Sequence, residues 1–360
     1  MHMTDSANRL RLRDLGLSVG HLPTGSLNAI TDVDGVLVGH ETIIRDQPTT
    51  IRSGVTVIAP ENGAIWARHL FAGAHVLNGN GEMTGLGWLN EFGLLCGPIA
   101  ITGTHSVGAV HEGLVSYELD HAFAFDFKLP VVAETFDGWL SDPSALAVRP
   151  EHVHTALNAA ASGPVEEGNV GGGTGMITHD FKAGIGTSSR SVECAGKTWT
   201  VGVLVQSNYG RRSRLRLDGH PIGELLSLEA ISGPFPVSRD QGSIIGIVAT
   251  NAPLLPHQCR RLAERAGLGV ARTGGTAAPS SGDIFLAFST GNAHSAGDED
   301  QVHKARFLPD MALDPVFEAV IEATEESIWN ALTGAVTMTG WQGRTAQAIP
   351  LDGLVSAASA

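Results

Sequence analysis

A layered α/β or α+β sandwich is the fold class that the sequence predicts, on three observations. Apolar residues fall in short, nearly continuous runs of strand length, as in sheets covered on both faces. Longer stretches carry apolar residues at helical spacing between recognisable start and stop signals. The 45 glycines among 360 residues sit between those runs and not in low-complexity tracts, so they suit tight turns and close backbone approaches. Strands and helices mixed in this way stack in layers.

In chain order, the strand-like runs occupy 54–59, 97–102, 199–205, 244–250 and 283–290. Residues 105–114 and 153–161 have helical character. Pro256 suits a first helical position, and the helix it opens is expected to stop at Gly267. Asp314-Pro315 opens a longer helix, with Phe317, Val320, Ile321, Ile328 and Leu332 at helical spacing. No internal repeat is present, and the length allows one large domain or two smaller ones. The irregular stretch 209–242, rich in Gly, Pro, Ser and charge, reads as a linker.

Composition removes several function classes. A net charge of -14 disfavours nucleic acid and anionic membranes as partners. No run approaches the roughly 18 apolar residues of a membrane span. Arg211, Arg212, Arg214 and Arg216 alternate with leucines and read as an exposed strand face. The N-terminal stretch shows no secretory pattern, so a cytoplasmic location is expected. Cys96, Cys194 and Cys259 are far apart with no CxxC spacing, which suggests free thiols in a reducing compartment.

The motifs divide sharply. Asp32-Val33-Asp34-Gly35 mimics the nucleophile loop of Mg²⁺-dependent phosphatases, but no strand-borne acidic partner follows, so a turn is the better reading and a phosphatase the lesser alternative. The fifteen histidines show no ligand spacing such as HExxH. No GxSxG elbow occurs, and the Gly171–Gly175 run lacks the lysine and register of a phosphate loop. Gly242-Ser243 is different in kind. A serine after glycine can attack its own upstream carbonyl, and hydrolysis of the resulting ester frees an amine on the nucleophile's own residue. That amine has a reference pKa of about 7.7–8.0, suited to act as a base near neutrality. Local chemistry alone still favours an ordinary turn.

Several blocks in order change that balance: TDVDGVLVGHET, VLNGNGEMTGL, PIAITGTHSVGAVHEG, PVVAETFDGWLSD, EGNVGGGTGM, VGVLVQSNYG, GSIIGIVATNAPLLPHQ and SSGDIFLAFSTGN. Over nearly its whole length the chain resembles the L-aminopeptidase/D-Ala-esterase/amidase and β-peptidyl aminopeptidase family, self-processing N-terminal-nucleophile hydrolases. The resemblance implies a four-layer αββα sandwich and one catalytic domain cut into residues 1–242 and 243–360; an uncut protein of the same fold that only binds peptides or ligands is the alternative. It implies Ser243 as nucleophile, Asn208 as oxyanion donor, Ser281 and Asp283 as its support, and Glu134 as the group that binds a substrate's free amine. Phe136 stands where some members carry tyrosine, and Asp283 where some carry glutamate. The substrates implied are short peptides, amides or esters with a free amino group. No metal or organic cofactor is implied. The expected assembly is a homo-oligomer of processed heterodimers, a tetramer.

Overall fold

Two facing sheets organise the computed structural model, which describes residues 9–121, 129–235, 242–295 and 300–359. In chain order the strands are β1 (Leu37–Arg45), β2 (Ile51–Ala59), β3 (Arg68–Gly79), β4 (Leu94–Leu95), β5 (Ile99–Gly103) and β6 (Val131–Thr135). A small hairpin follows, β7 (Ile177–Thr178) and β8 (Phe181–Lys182), then β9 (Ile185–Cys194), β10 (Lys197–Asn208), β11 (Gly242–Thr250) and β12 (Ser281–Ser295). The helices include α1 (Leu86–Phe92), α2 (Val107–Asp120), α3 (Pro150–Asn158), the single turn α4 (Ile222–Leu225), α5 (Pro256–Arg272) and α6 (Asp314–Thr333).

One sheet has the order β1-β2-β5-β6 and the other β4-β3-β12-β11-β10-β9. Side-chain alternation along β11 sets the layers. Ile245, Ile247 and Ala249 join Val55, Val57, Ile99 and Ile101 in a core between the sheets. Ile244 and Val248 instead meet Leu262, Val270, Val316 and Val320 of α5 and α6. Each such fully buried aliphatic side chain contributes about 1.5–3 kcal/mol, and the run is apolar throughout because both faces are covered. Helices α2 and α3 pack on the outside of the first sheet, α5 and α6 on the second. The layers are therefore helix, sheet, sheet, helix, the αββα order the sequence led us to expect.

Strands β11 and β12 pair in parallel at the middle of the larger sheet, with antiparallel neighbours β10 on one side and β3 on the other. A cut before Ser243 would leave both pieces woven into one sheet, held by two ladders of backbone hydrogen bonds.

Three expectations need correction. Helix α5 runs past Gly267 to Arg272. A Cβ on Gly269 would stand 2.7 Å from the Ile321 carbonyl oxygen, so glycine there serves the close approach of α5 to α6. Most of the expected linker is folded: within 209–235, Leu215, Leu217, Ile222 and Leu226 join a buried cluster with Trp329 and Leu354. Arg212 is no exposed strand residue. It is fully buried, stacked 3.4 Å from the centre of the Phe181 ring, and donates to the carbonyls of His179, Asp180, Leu226 and Ile231. Its guanidinium replaces water for a run of carbonyls that no regular element satisfies. The acidic stretch 297–300 falls, except for Asp300, outside the described residues.

Candidate active site

A cavity of about 800 Å³ opens where β6 and β10 end and β11 begins. Its lining includes Gly242, Ser243, Asn208, Glu134 and Phe136, five of the residues picked out in the sequence.

Ser243 is the second residue of β11, directly opposite Asn208 at the end of β10. The pairing puts both side chains on one face of the sheet, where the β10–β11 ladder ends. Ser243 is 6% exposed, and its Oγ accepts a 3.1 Å hydrogen bond from the Gly282 N–H. Its own hydroxyl proton has no hydrogen-bond acceptor among the described residues. Before it, Gly242 has φ +117°, and a Cβ there would stand 1.8 Å from the Asn208 carbonyl oxygen. Only glycine fits that backbone. The bond ahead of the serine is thus bent out of the geometry the rest of β11 adopts.

The Asn208 side chain is held at both ends. Its Oδ1 accepts from Ile177 N–H at 2.9 Å, and its Nδ2 donates to the Phe136 carbonyl at 3.0 Å. A side-chain amide carries two N–H hydrogens, so one remains for a further acceptor. The orientation is fixed and a donor is spare, which is what stabilisation of a developing oxyanion requires.

Glu134 is the next-to-last residue of β6, before Thr135, and is 3% exposed. It accepts from the Glu82 N–H at 2.9 Å and from the Thr104 hydroxyl. No cationic side chain pairs with it among the described residues. A buried carboxylate fixed by neutral donors alone retains acceptor capacity and strongly favours an incoming cation. Close by, Asp137 is also buried; burial, with the negative charge of Glu134 adding to it, pushes its carboxyl above the ordinary range. Phe136 is 46% exposed, with its ring edge-on to His105.

Ser281 and Asp283 are brought together, with the Ser281 hydroxyl donating to Asp283 at 2.6 Å. They share a face of β12, as strand alternation predicts. That face is not the cavity's. Ile284 and Leu286 belong to the core between the sheets and Phe285 and Ala287 to the helix side, so Ser281 and Asp283 alternate onto the helix side. Register places Ser281 opposite Gly242, so the pair lies beside the Gly242–Ser243 bond.

The alternative pair is elsewhere. Asp32 accepts from the N–H groups of Leu27 and Ala29 and from the Ser189 hydroxyl, closing its own turn, while Asp34 is exposed. Neither lines the cavity. His21, Glu318 and Glu322 cluster among the described residues, but Glu322 is already engaged by Arg190.

Sequence reasoning missed other lining residues: Asn80, Thr104, Trp139, Asp180, Phe235 and Arg344. Asn80, Thr104 and Trp139 sit inside blocks that carried the resemblance, and position within a block was the available signal. Arg344, in a turn near the C-terminus, gave none.

The chain is similar over most of its length to known proteins. Residues 28–346 match peptidase family S58. The chain is 45% identical over 361 residues to the beta-peptidyl aminopeptidase BapA of Sphingosinicella microcystinivorans, covering 96% of this chain and 91% of that protein. It superimposes on a beta-aminopeptidase of Burkholderia sp. with a TM-score of 0.91 and 47% identity, over 97% of this chain and 98% of the other. It is similarly close to the L-aminopeptidase D-Ala-esterase/amidase of Ochrobactrum anthropi, a prototype for the serine aminopeptidases with a variant of the Ntn hydrolase fold. There the TM-score is 0.90 and the identity 41%, over 97% and 98% of the two chains.

Proposed function

We propose, because this chain belongs to peptidase family S58, that it is a serine aminopeptidase whose nucleophile, Ser243, becomes an N-terminus when the chain cuts itself after Gly242. The observation that carries this reading is the meeting of Gly242, Ser243, Asn208 and the unpaired carboxylate of Glu134 around one cavity.

In the first step Ser243 Oγ attacks the Gly242 carbonyl carbon. A C–O bond forms, the C–N bond breaks, and the amine leaves with the proton. Water then hydrolyses the ester to a Gly242 carboxylate and a Ser243 hydroxyl. The freed α-amine, partly neutral near pH 7–8, acts as base for the same Oγ in later turnovers. Ser281 and Asp283, beside the bond that is cut, hold that amine in place. In turnover, Oγ attacks the scissile carbonyl of a peptide, amide or ester. Asn208 Nδ2 donates to the oxyanion, the leaving group departs protonated, and water releases the acyl group. Glu134 binds the substrate's ammonium, which restricts the enzyme to free N-termini. No step calls for a metal or organic cofactor.

The same reading makes the chain one catalytic domain of two interwoven pieces, 1–242 and 243–360. It also carries a tetramer of processed heterodimers and a cytoplasmic location. Exposed apolar side chains such as Val302 and Met311 supply contact surface, and the three free thiols fit a reducing compartment. No helix among the described residues is long and apolar enough to cross a membrane.

Intact-mass analysis under denaturing conditions tests the proposal. Two pieces beginning at Met1 and Ser243 are expected, with Ser243→Ala both uncut and inactive on L-Ala, D-Ala and β-homo-Gly p-nitroanilides. Full activity from a chain that stays whole would overturn it.

A further inference from the structure

The cavity lining carries a second charged group that the aminopeptidase chemistry leaves unused. Arg344 lies in its wall. The guanidinium stacks 4.2 Å from the centre of the Trp139 ring and 4.9 Å from that of Trp341. Nη2 donates to the Gln342 side chain at 2.6 Å and Nη1 weakly to the Trp139 carbonyl at 3.4 Å. No carboxylate pairs with it among the described residues. A guanidinium has five N–H donors, so three remain, on a plane already fixed by two aromatic faces. Trp139 also packs edge-on against Phe235, another wall residue, at 4.7 Å.

The lining thus holds an unpaired anion, Glu134, and an unpaired cation, Arg344. A space of about 800 Å³ falls within the size of ordinary small-ligand sites. A short unblocked peptide is a zwitterion with an ammonium at one end and a carboxylate at the other. We propose that Arg344 recognises the C-terminal carboxylate of di- and tripeptide substrates, making free short peptides the preferred substrate class over amides. The inference rests on the aminopeptidase reading. An arginine fork matches a carboxylate in two parallel hydrogen bonds, and its stacking on Trp139 and Trp341 means little side-chain freedom is lost on binding.

The test compares one dipeptide with its C-terminal amide. In the unaltered protein the free acid is expected to have the lower KM. In Arg344→Gln the ratio of kcat/KM for acid over amide should fall about tenfold, the scale of a hydrogen bond to a charged group, and Arg344→Lys should recover part of it. The ratio cancels any general damage to folding or to the nucleophile. Equal KM values for acid and amide in the unaltered protein, or an unchanged ratio in Arg344→Gln, would overturn the assignment of Arg344 while leaving the aminopeptidase reading intact. Hydrolysis of neither compound would sink both.

Discussion

Two polar clusters are buried in the molecule, one against β9 and one where β6, β10 and β11 meet, and they are built on opposite principles. On β9, Arg190 is fully buried and donates to Glu322 at 2.9 Å, to Glu326 at 2.7 Å and to the carbonyls of Ser189 and Val19. Glu326 also takes Arg13 and Asn28, while Glu322 takes the N–H groups of His21 and Leu22. Nearly every donor and acceptor there is occupied within the protein. At the start of β11 the count comes out differently. Ser243 keeps an unused proton, Asn208 an unused N–H, and Glu134 a charge with no counterion. Saturation makes a polar cluster structural, and deliberate vacancy makes it reactive.

Breaking the saturated cluster should have the largest effect. Arg190→Met fills the volume but leaves Glu322 and Glu326 without their buried cation, which typically costs about 3–5 kcal/mol. A large fall in the denaturant midpoint is expected, with kcat/KM of the folded fraction within about twofold of the unaltered value. A stable but catalytically poor variant would show that the two clusters are not separate in function. Removing a donor from the vacant cluster should do the reverse. Asn208→Ala is expected to lower kcat by about 10²–10³-fold, through an interaction made mainly in the transition state. If KM rises instead and kcat holds, Asn208 binds substrate and does not stabilise an oxyanion.

Legibility in the sequence follows the same division. Strands β2, β10, β11 and β12 were readable because burial on both faces leaves an apolar run. Strand β9, with the sequence IGTSSRSVEC, was not, since its polar side chains are buried against partners far away in the chain. Ser188 bonds the Ala323 carbonyl and Arg190 meets α6, more than 130 residues on. Local periodicity carries no trace of such pairing. Gly242 and Ser243 could be singled out by their chemistry, but the φ of Gly242 and the unpaired state of Glu134 depend on what surrounds them. Arg344 illustrates the limit: an arginine in a turn becomes a site residue only when Trp139, 205 positions earlier, is folded beneath it.

Glu167, close enough to the saturated cluster to feel the charge of Glu326, sharpens the contrast through pH. It pairs with Arg11 at 2.7 Å and accepts from the Thr187 N–H at 2.8 Å, with a side chain only 7% exposed. Burial outweighs Arg11 and Thr187, the charge of Glu326 adds to it, and the carboxyl is pushed up to about 7. Glu326 goes the other way: burial raises it too, but hydrogen bonds from Arg13 and the charge of Arg190 bring it below its ordinary value. A group with a raised folded pKa binds its proton more tightly when folded. Its contribution is therefore full below the unfolded value of 4.5 and is lost as pH rises through about 7. Glu326 contributes above its ordinary pKa and loses that contribution only as the pH falls. A tenfold change in proton affinity corresponds to about 1.4 kcal/mol. Because Arg11 is partly exposed and screened, the loss from Glu167 should be about 1–2 kcal/mol. Denaturant midpoints measured from about pH 5 to about pH 8 should decline in the unaltered protein and decline less in Glu167→Gln. Parallel profiles would mean that Glu167 stays ionised throughout, and would place it with the saturated network around Arg190.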